Sequence, residues 1–208
     1  MANTFAPFGF RPTSTSNGPE NFRISTRRIA STNTTAIYKG DPVIPVVSTA
    51  NGYITQSGSN PTTTLAGIFW GCQYLSTSQK RTVWSQYWPG SDATGDVIAY
   101  VVDDPLARFV VQTSGTSFQI SGTVAAFGSS PVGQNANFTI GSGSALTQQS
   151  GAYLSSVGTL NTSPFIITAM IIDPPGANGT DPTSQYNYVE VGFNNEWLRG
   201  NAAVTGIA

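Results

Sequence analysis

The chain has no histidine and only one cysteine in 208 residues, and just 9% of its residues carry charge. Each shortage excludes something. Without His there is no imidazole base for a His-dependent triad and no His-ligated zinc within this chain. A single Cys excludes an intramolecular disulfide and any thiolate cluster. Cys72, close to Phe69 and Trp70, reads as a small buried hydrophobe. Lysine is limited to Lys39 and Lys80, neither of them in a phosphate-binding Gly-Lys-Ser/Thr loop, and no Gly-x-Ser-x-Gly elbow occurs. The longest nearly apolar run, Phe165 to Ile172, is interrupted by Thr168 and is far too short to span a bilayer. Nine basic and ten acidic side chains leave a net charge of −1 and a pI near 5.2, so charge makes no case for nucleic acid.

What is present is hydroxyl, amide and glycine around short apolar stretches. Val43-Ile44-Pro45-Val46-Val47, Asn51-Gly52 and Tyr53-Ile54-Thr55-Gln56 have the ingredients of a hairpin, with Pro45 at an edge or a bulge. Further strands are expected over Leu65–Leu75, Thr82–Trp88, Val97–Val102, Arg108–Gln112, Phe165–Ile172 and Tyr188–Phe193. Val97–Val102 reads as buried on both faces. Shorter strands are expected at 118–120 and 124–127. Residues 128–163 read as long loops with one or two short strands, Phe138-Thr139-Ile140 being one strand core, or with a short helix near Leu146 to Gln149. A second long loop is expected over 173–187. No segment carries a capped helical stripe. The expectation is an all-β fold, an antiparallel β-barrel or jelly-roll-like sandwich, as one domain over 23–208 preceded by an extended N-terminal arm over 1–22.

That arm is the strongest functional pointer. Phe5, Phe8 and Phe10 sit among Pro7, Gly9 and Pro12, a pattern unfit for a helix and without the layout of a secretory signal. Such a segment reads as one that lies on another surface and buries its rings there, with Arg11 beside them. Arg23, Arg27 and Arg28 form the one basic cluster. They dock on an acidic partner surface, or they face outward from an ordinary strand. Asp103 and Asp104, with Asp96, Asp173 or Glu190, offer carboxylates for glycosidase chemistry or calcium, but Asp-Asp-Pro and Asp-Pro-Pro-Gly are turn formers first. Trp70, Trp84 and Trp88 with Tyr74 and Tyr87 suit a core or a subunit interface better than sugar stacking.

Several stretches, in order along nearly the whole chain, resemble the head decoration or capsid cement proteins of tailed bacteriophages. They are Ala6-Pro7-Phe8-Gly9-Phe10-Arg11-Pro12, Tyr38-Lys39-Gly40-Asp41-Pro42-Val43, Gly67-Ile68-Phe69-Trp70-Gly71, Val101-Val102-Asp103-Asp104-Pro105, Val132-Gly133-Gln134-Asn135-Ala136 and Val191-Gly192-Phe193-Asn194-Asn195. The resemblance implies a non-enzymatic virion protein without cofactor or metal. It would bind the outer face of the assembled capsid as a homotrimer and stabilise contacts between major capsid protein subunits. Its partners would be that protein and itself, with no nucleic acid or membrane. A carbohydrate- or receptor-binding β-module of a phage tail or surface protein is the alternative.

Overall fold

The computed structural model describes residues 3–15, 18–19, 22–46, 52–59, 64–115, 131–158, 160–171 and 184–199. The expected strands at 118–120 and 124–127, and most of the 173–187 loop, lie outside the described residues. Alternation of apolar and hydroxylated side chains produces antiparallel strands throughout, and the sheets pack as a sandwich. No closed barrel and no α-helix is found among the described residues.

One sheet has seven strands. In spatial order they are β13 (Tyr153–Gly158), β12 (Asn135–Thr139), β14 (Phe165–Met170), β15 (Tyr188–Phe193), β11 (Arg108–Gln112), β1 (Arg11–Thr15) and β2 (Gly18–Pro19). The other sheet runs β3 (Ile24–Ile29), β10 (Val97–Val102), β7 (Gly67–Leu75), β5 (Pro42–Pro45) and β6 (Ile54–Gln56). In this sheet β8 (Thr82–Ser85) also pairs with β7, opposite Cys72–Leu75. A two-stranded ribbon joins β4 (Ile37–Tyr38) to β9 (Tyr87–Trp88).

The central pair β7–β10 separates two apolar clusters. Phe69, Cys72, Ala99 and Val101 face one way, toward a cluster closed by Ile37 and Trp88 of the β4–β9 ribbon. Ile68 and Val102, which pair with each other, face the opposite way into the cluster formed with the seven-stranded sheet. Further along that second face the register slips. Tyr100 opposes Gly71 but Val101 opposes Phe69, so Trp70 is the extra residue of a β-bulge. A bulge re-aims side chains. Here it adds Trp70 to the face that also carries Tyr100 and, after β8 joins, Trp84 opposite Gln73. Ile68 and Val102 at one end of this face are fully buried, whereas Ile98 (43% exposed) and Trp84 (66%) at the other are not, so the seven-stranded sheet covers only part of it.

Several expectations change. Val97–Val102 is buried on both faces only at Val101 and Val102, because the cover ends there. Thr82–Trp88 is two strands, since the Ser85 hydroxyl accepts the Tyr87 N–H (3.1 Å) and turns the chain out of the β8 ladder. Within 128–163 the short strands expected among the loops are the β12–β13 pair, and turns rather than a helix occupy 145–148. Pro45 is not on the edge strand, because β6 lies outside β5. It is tolerated because β7 pairs only with Pro42 and Val43. Within residues 1–22, β1 is an integral strand of the larger sheet.

Candidate functional site

The three phenylalanines of the N-terminal segment have different fates. Phe10 is 1% exposed and lies in this chain's own core, stacked on Phe165 at 4.4 Å and edge-on to Phe138 at 6.0 Å. The expectation that another subunit buries it therefore does not hold, because the domain already does. Phe8 is half-buried, stacked on Tyr188 at 5.8 Å with the Arg11 guanidinium 4.1 Å from its centroid. Phe5 stays 42% exposed between Tyr153 (5.0 Å) and Tyr186 (5.1 Å). The backbone between them is pinned. Ala6 N–H donates to Gln112 Oε1 (2.8 Å), Gln112 Nε2 donates to Thr4 O (2.7 Å), and Gly9 N–H donates to Ala152 O (3.2 Å). The segment is thus extended but laid against its own domain, with Phe5 and Phe8 as an aromatic ridge.

Two of the three clustered arginines serve the fold. Asp103 is fully buried, and its carboxylate accepts Arg23 Nε at 3.0 Å, Arg27 Nη2 at 2.6 Å and the Ser25 hydroxyl. Arg27 also lies over the Trp197 ring, 4.8 Å from its centroid. Arg28 points to the other face of β3, where it is exposed and 3.7 Å from Asp96. The structure therefore does not bring Arg23, Arg27 and Arg28 together as one docking patch. Arg28 and Arg23 both stay largely open, with 68% and 56% of their side chains exposed, while Arg27 is mostly covered.

The candidate carboxylates do not converge. Asp103 is held by arginines, Asp104 accepts the Leu106 N–H (2.9 Å) within its turn, Asp96 takes the Tyr53 hydroxyl, and Glu190 takes that of Thr168. Asp173 lies outside the described residues. Among the described residues no group of three or more acidic or Cys side chains could hold a metal. Cys72 is buried, which pushes its thiol up to about 12 and leaves no reactive thiolate.

The sheet face left uncovered by the sandwich carries the other notable feature. Two adjoining cavities of about 540 and 300 Å³ share Lys39 and Trp70. In the larger, Trp84 and Tyr100 stack at 5.6 Å with their planes 12° apart. Gly71 forms part of the lining. A Cβ there would come within 2.9 Å of Ser85 O, so the close approach of β7 to Ser85 requires glycine. Lys39 Nζ sits 3.8 Å from the Trp70 centroid, and Arg11 lines the smaller cavity. Burial and the neighbouring Arg11 charge hold the Lys39 ammonium below the usual lysine range. Among the described residues neither cation has a carboxylate within ion-pair distance.

Lys39 is positioned by the turn behind it. Asp41, buried, accepts the Tyr38 N–H (2.8 Å), Gln56 Nε2 (2.7 Å) and the Ser150 hydroxyl, while Lys39 N–H and O bond Gln148 O and Ser150 N. These bonds tie the turn to the 141–150 loop, which delivers Gln148 and Gln149 to the groove.

No protein-family model matches the chain, and no curated protein or solved structure does.

Of the aromatics considered for sugar stacking, Trp88 and Tyr74 are core residues, Tyr87 stacks on Tyr38, and Trp70 and Trp84 line the groove. Sequence reasoning missed Lys39, Tyr100, Gln148 and Gln149. Tyr100 was hidden inside an apolar run, and the bulge that brings Trp70 beside it leaves no mark in the composition.

Proposed function

We propose that the chain is a non-enzymatic structural protein of a phage virion, which binds the outer surface of the assembled capsid and stabilises contacts between major capsid protein subunits. The observation that carries this reading is the ridge of Phe5 and Phe8 with Tyr153, Tyr186 and Tyr188. Aromatic side chains in pinned backbone are suited to anchor an interface, because little conformational freedom remains to be lost on docking. The sequence resemblance supplies the partner and the homotrimeric state. Function then follows from mechanics. A genome-filled shell is under outward pressure, and a clamp that contacts several shell subunits at once adds an interface of standard size, roughly 1,600 Å² in total, at each contact.

Because removing residues 1–12 would take Phe10 from the core and the start of β1 from the sheet, the ridge is tested by side-chain substitution. The discriminating variant is Phe5→Ala with Phe8→Ala, mixed with decoration-free expanded heads and sedimented. Wild type should pellet with the heads and the folded double variant should stay in the supernatant. Equal pelleting of the two would refute the ridge as the contact.

A further inference from the structure

The groove between Trp84 and Arg11 meets the N-terminal ridge only at Phe8, and three of its properties define a ligand. The first is a flat apolar platform: Trp84 is 66% exposed and held in plane by Tyr100 rather than turned into the core. An indole face is the negative side of its quadrupole and attracts the polarised C–H face of a pyranose ring. The second is a surplus of donors. Lys39 and Arg11 can only donate. The side-chain oxygens of Gln148 and Gln149 already accept the Gln86 N–H (2.9 Å) and Arg11 Nη2 (3.0 Å), which leaves their NH₂ groups for a ligand. The third is uncompensated charge, two neighbouring cations in a lining without a carboxylate among its residues.

We infer that this groove binds a carboxylated oligosaccharide, with a sugar face on the indole face of Trp84 that Tyr100 leaves open and the carboxylate toward Lys39 and Arg11. The combined cavity has the size of ordinary small-molecule sites. A stacked sugar covers the exposed indole, its ring and hydroxyl oxygens meet the amide donors, and its carboxylate relieves the repulsion between Lys39 and Arg11. Single-stranded nucleic acid shares the stacking and the anion, but a chain of net charge −1 with two cations in the groove lacks the basic track that a phosphate backbone requires. The inference does not depend on the capsid reading, since no shell enters its test.

The test is tryptophan fluorescence titration of the intact protein with a galacturonic acid tetramer, a hyaluronan tetrasaccharide and a trimer of sialic acid. The carboxyl-reduced form of each, an oligothymidylate and a polyglutamate peptide are run in parallel. At least one acidic saccharide should bind. Carboxyl reduction, Lys39→Met and Trp84→Ala should each weaken it by about tenfold or more. Trp84 is exposed and Lys39→Met keeps the aliphatic stem, so both variants should retain the wild-type melting curve. The inference is overturned if none of the three saccharides binds at about 10 mM or below. It is also overturned if neutral forms bind equally, if binding survives both substitutions, or if only oligothymidylate or polyglutamate binds.

Discussion

Gly9 and Phe10 show at single-residue scale why the chain opens as it does. Gly9 has φ +76°, and a Cβ there would lie 2.5 Å from the Ser150 Cβ and 2.9 Å from Gly40 O. Only glycine lets the segment cross the Lys39–Asp41 turn and deliver Phe10 into the core. Gly9→Ala should therefore destabilise the fold by about 3 kcal/mol, from left-handed strain plus overpacking. Phe10→Ala should cost about 3–5 kcal/mol as a core cavity, whereas Phe5→Ala should stay within about 0.5 kcal/mol. Urea denaturation of the three variants checks the order, and a Phe5→Ala loss as large as that of Phe10→Ala would contradict it. Asp41 adds a pH signature. Burial raises its pKa from the ordinary 3.8, against the hydrogen bonds from Ser150, Tyr38 and Gln56. The folded state thus holds this proton more tightly than the unfolded one. The contribution is fully present below pH 3.8 and is lost as pH rises through the raised folded value. Relative to Asp41→Asn, the wild-type melting temperature should fall across that rise. A difference between the two that is independent of pH would contradict the burial effect. The distinctive spacing of Phe5, Phe8 and Phe10 was legible in the sequence. Their different depths were not, because whether a ring faces the core depends on which distant strand lies beneath it.

At the scale of elements, β3 and β10 are fastened where they end. Asp103 follows β10 and gathers Arg23, Ser25 and Arg27 onto one buried carboxylate, with Arg23 also donating to its carbonyl oxygen (3.2 Å). Asp103→Asn leaves two guanidinium groups without their counter-ion and should cost about 3 kcal/mol, since breaking a buried pair strands a charge. Arg27, with 23% of its side chain exposed, should matter more than Arg23 with 56%. Denaturant midpoints for Arg23→Ala and Arg27→Ala test that order, and a reversed order would contradict the assignment. The strands with clean alternation or continuous apolar runs, Arg108–Gln112 and Tyr188–Phe193, could be read to the residue. β13, set in a stretch rich in Ser, Gly and Gln, could not, because its stability comes from pairing with β12 rather than from its own composition. The Trp70 bulge and the Ser85 turn were invisible for the same reason. Both are departures from a ladder that only the paired strand defines.

On the scale of the whole molecule, a sandwich whose sheets overlap only in part presents two adjoining surfaces, which meet at Phe8 and Arg11. One is the pinned aromatic ridge along the N-terminal segment, the other the aromatic and cationic groove beyond the cover of the seven-stranded sheet. The all-β class was legible from turn residues and strand spacing, but the partial overlap that creates the groove is a property of layers, which no local pattern encodes. The ridge is the surface to which the capsid reading is tied, and electron cryomicroscopy of mature heads decorated with this protein tests that reading most directly. Density for the sandwich is expected on the outer face of the shell, at junctions between major capsid protein subunits, with the Phe5 and Phe8 side chains against a neighbouring subunit. Heads without this density, or density with the ridge turned to solvent, would contradict it.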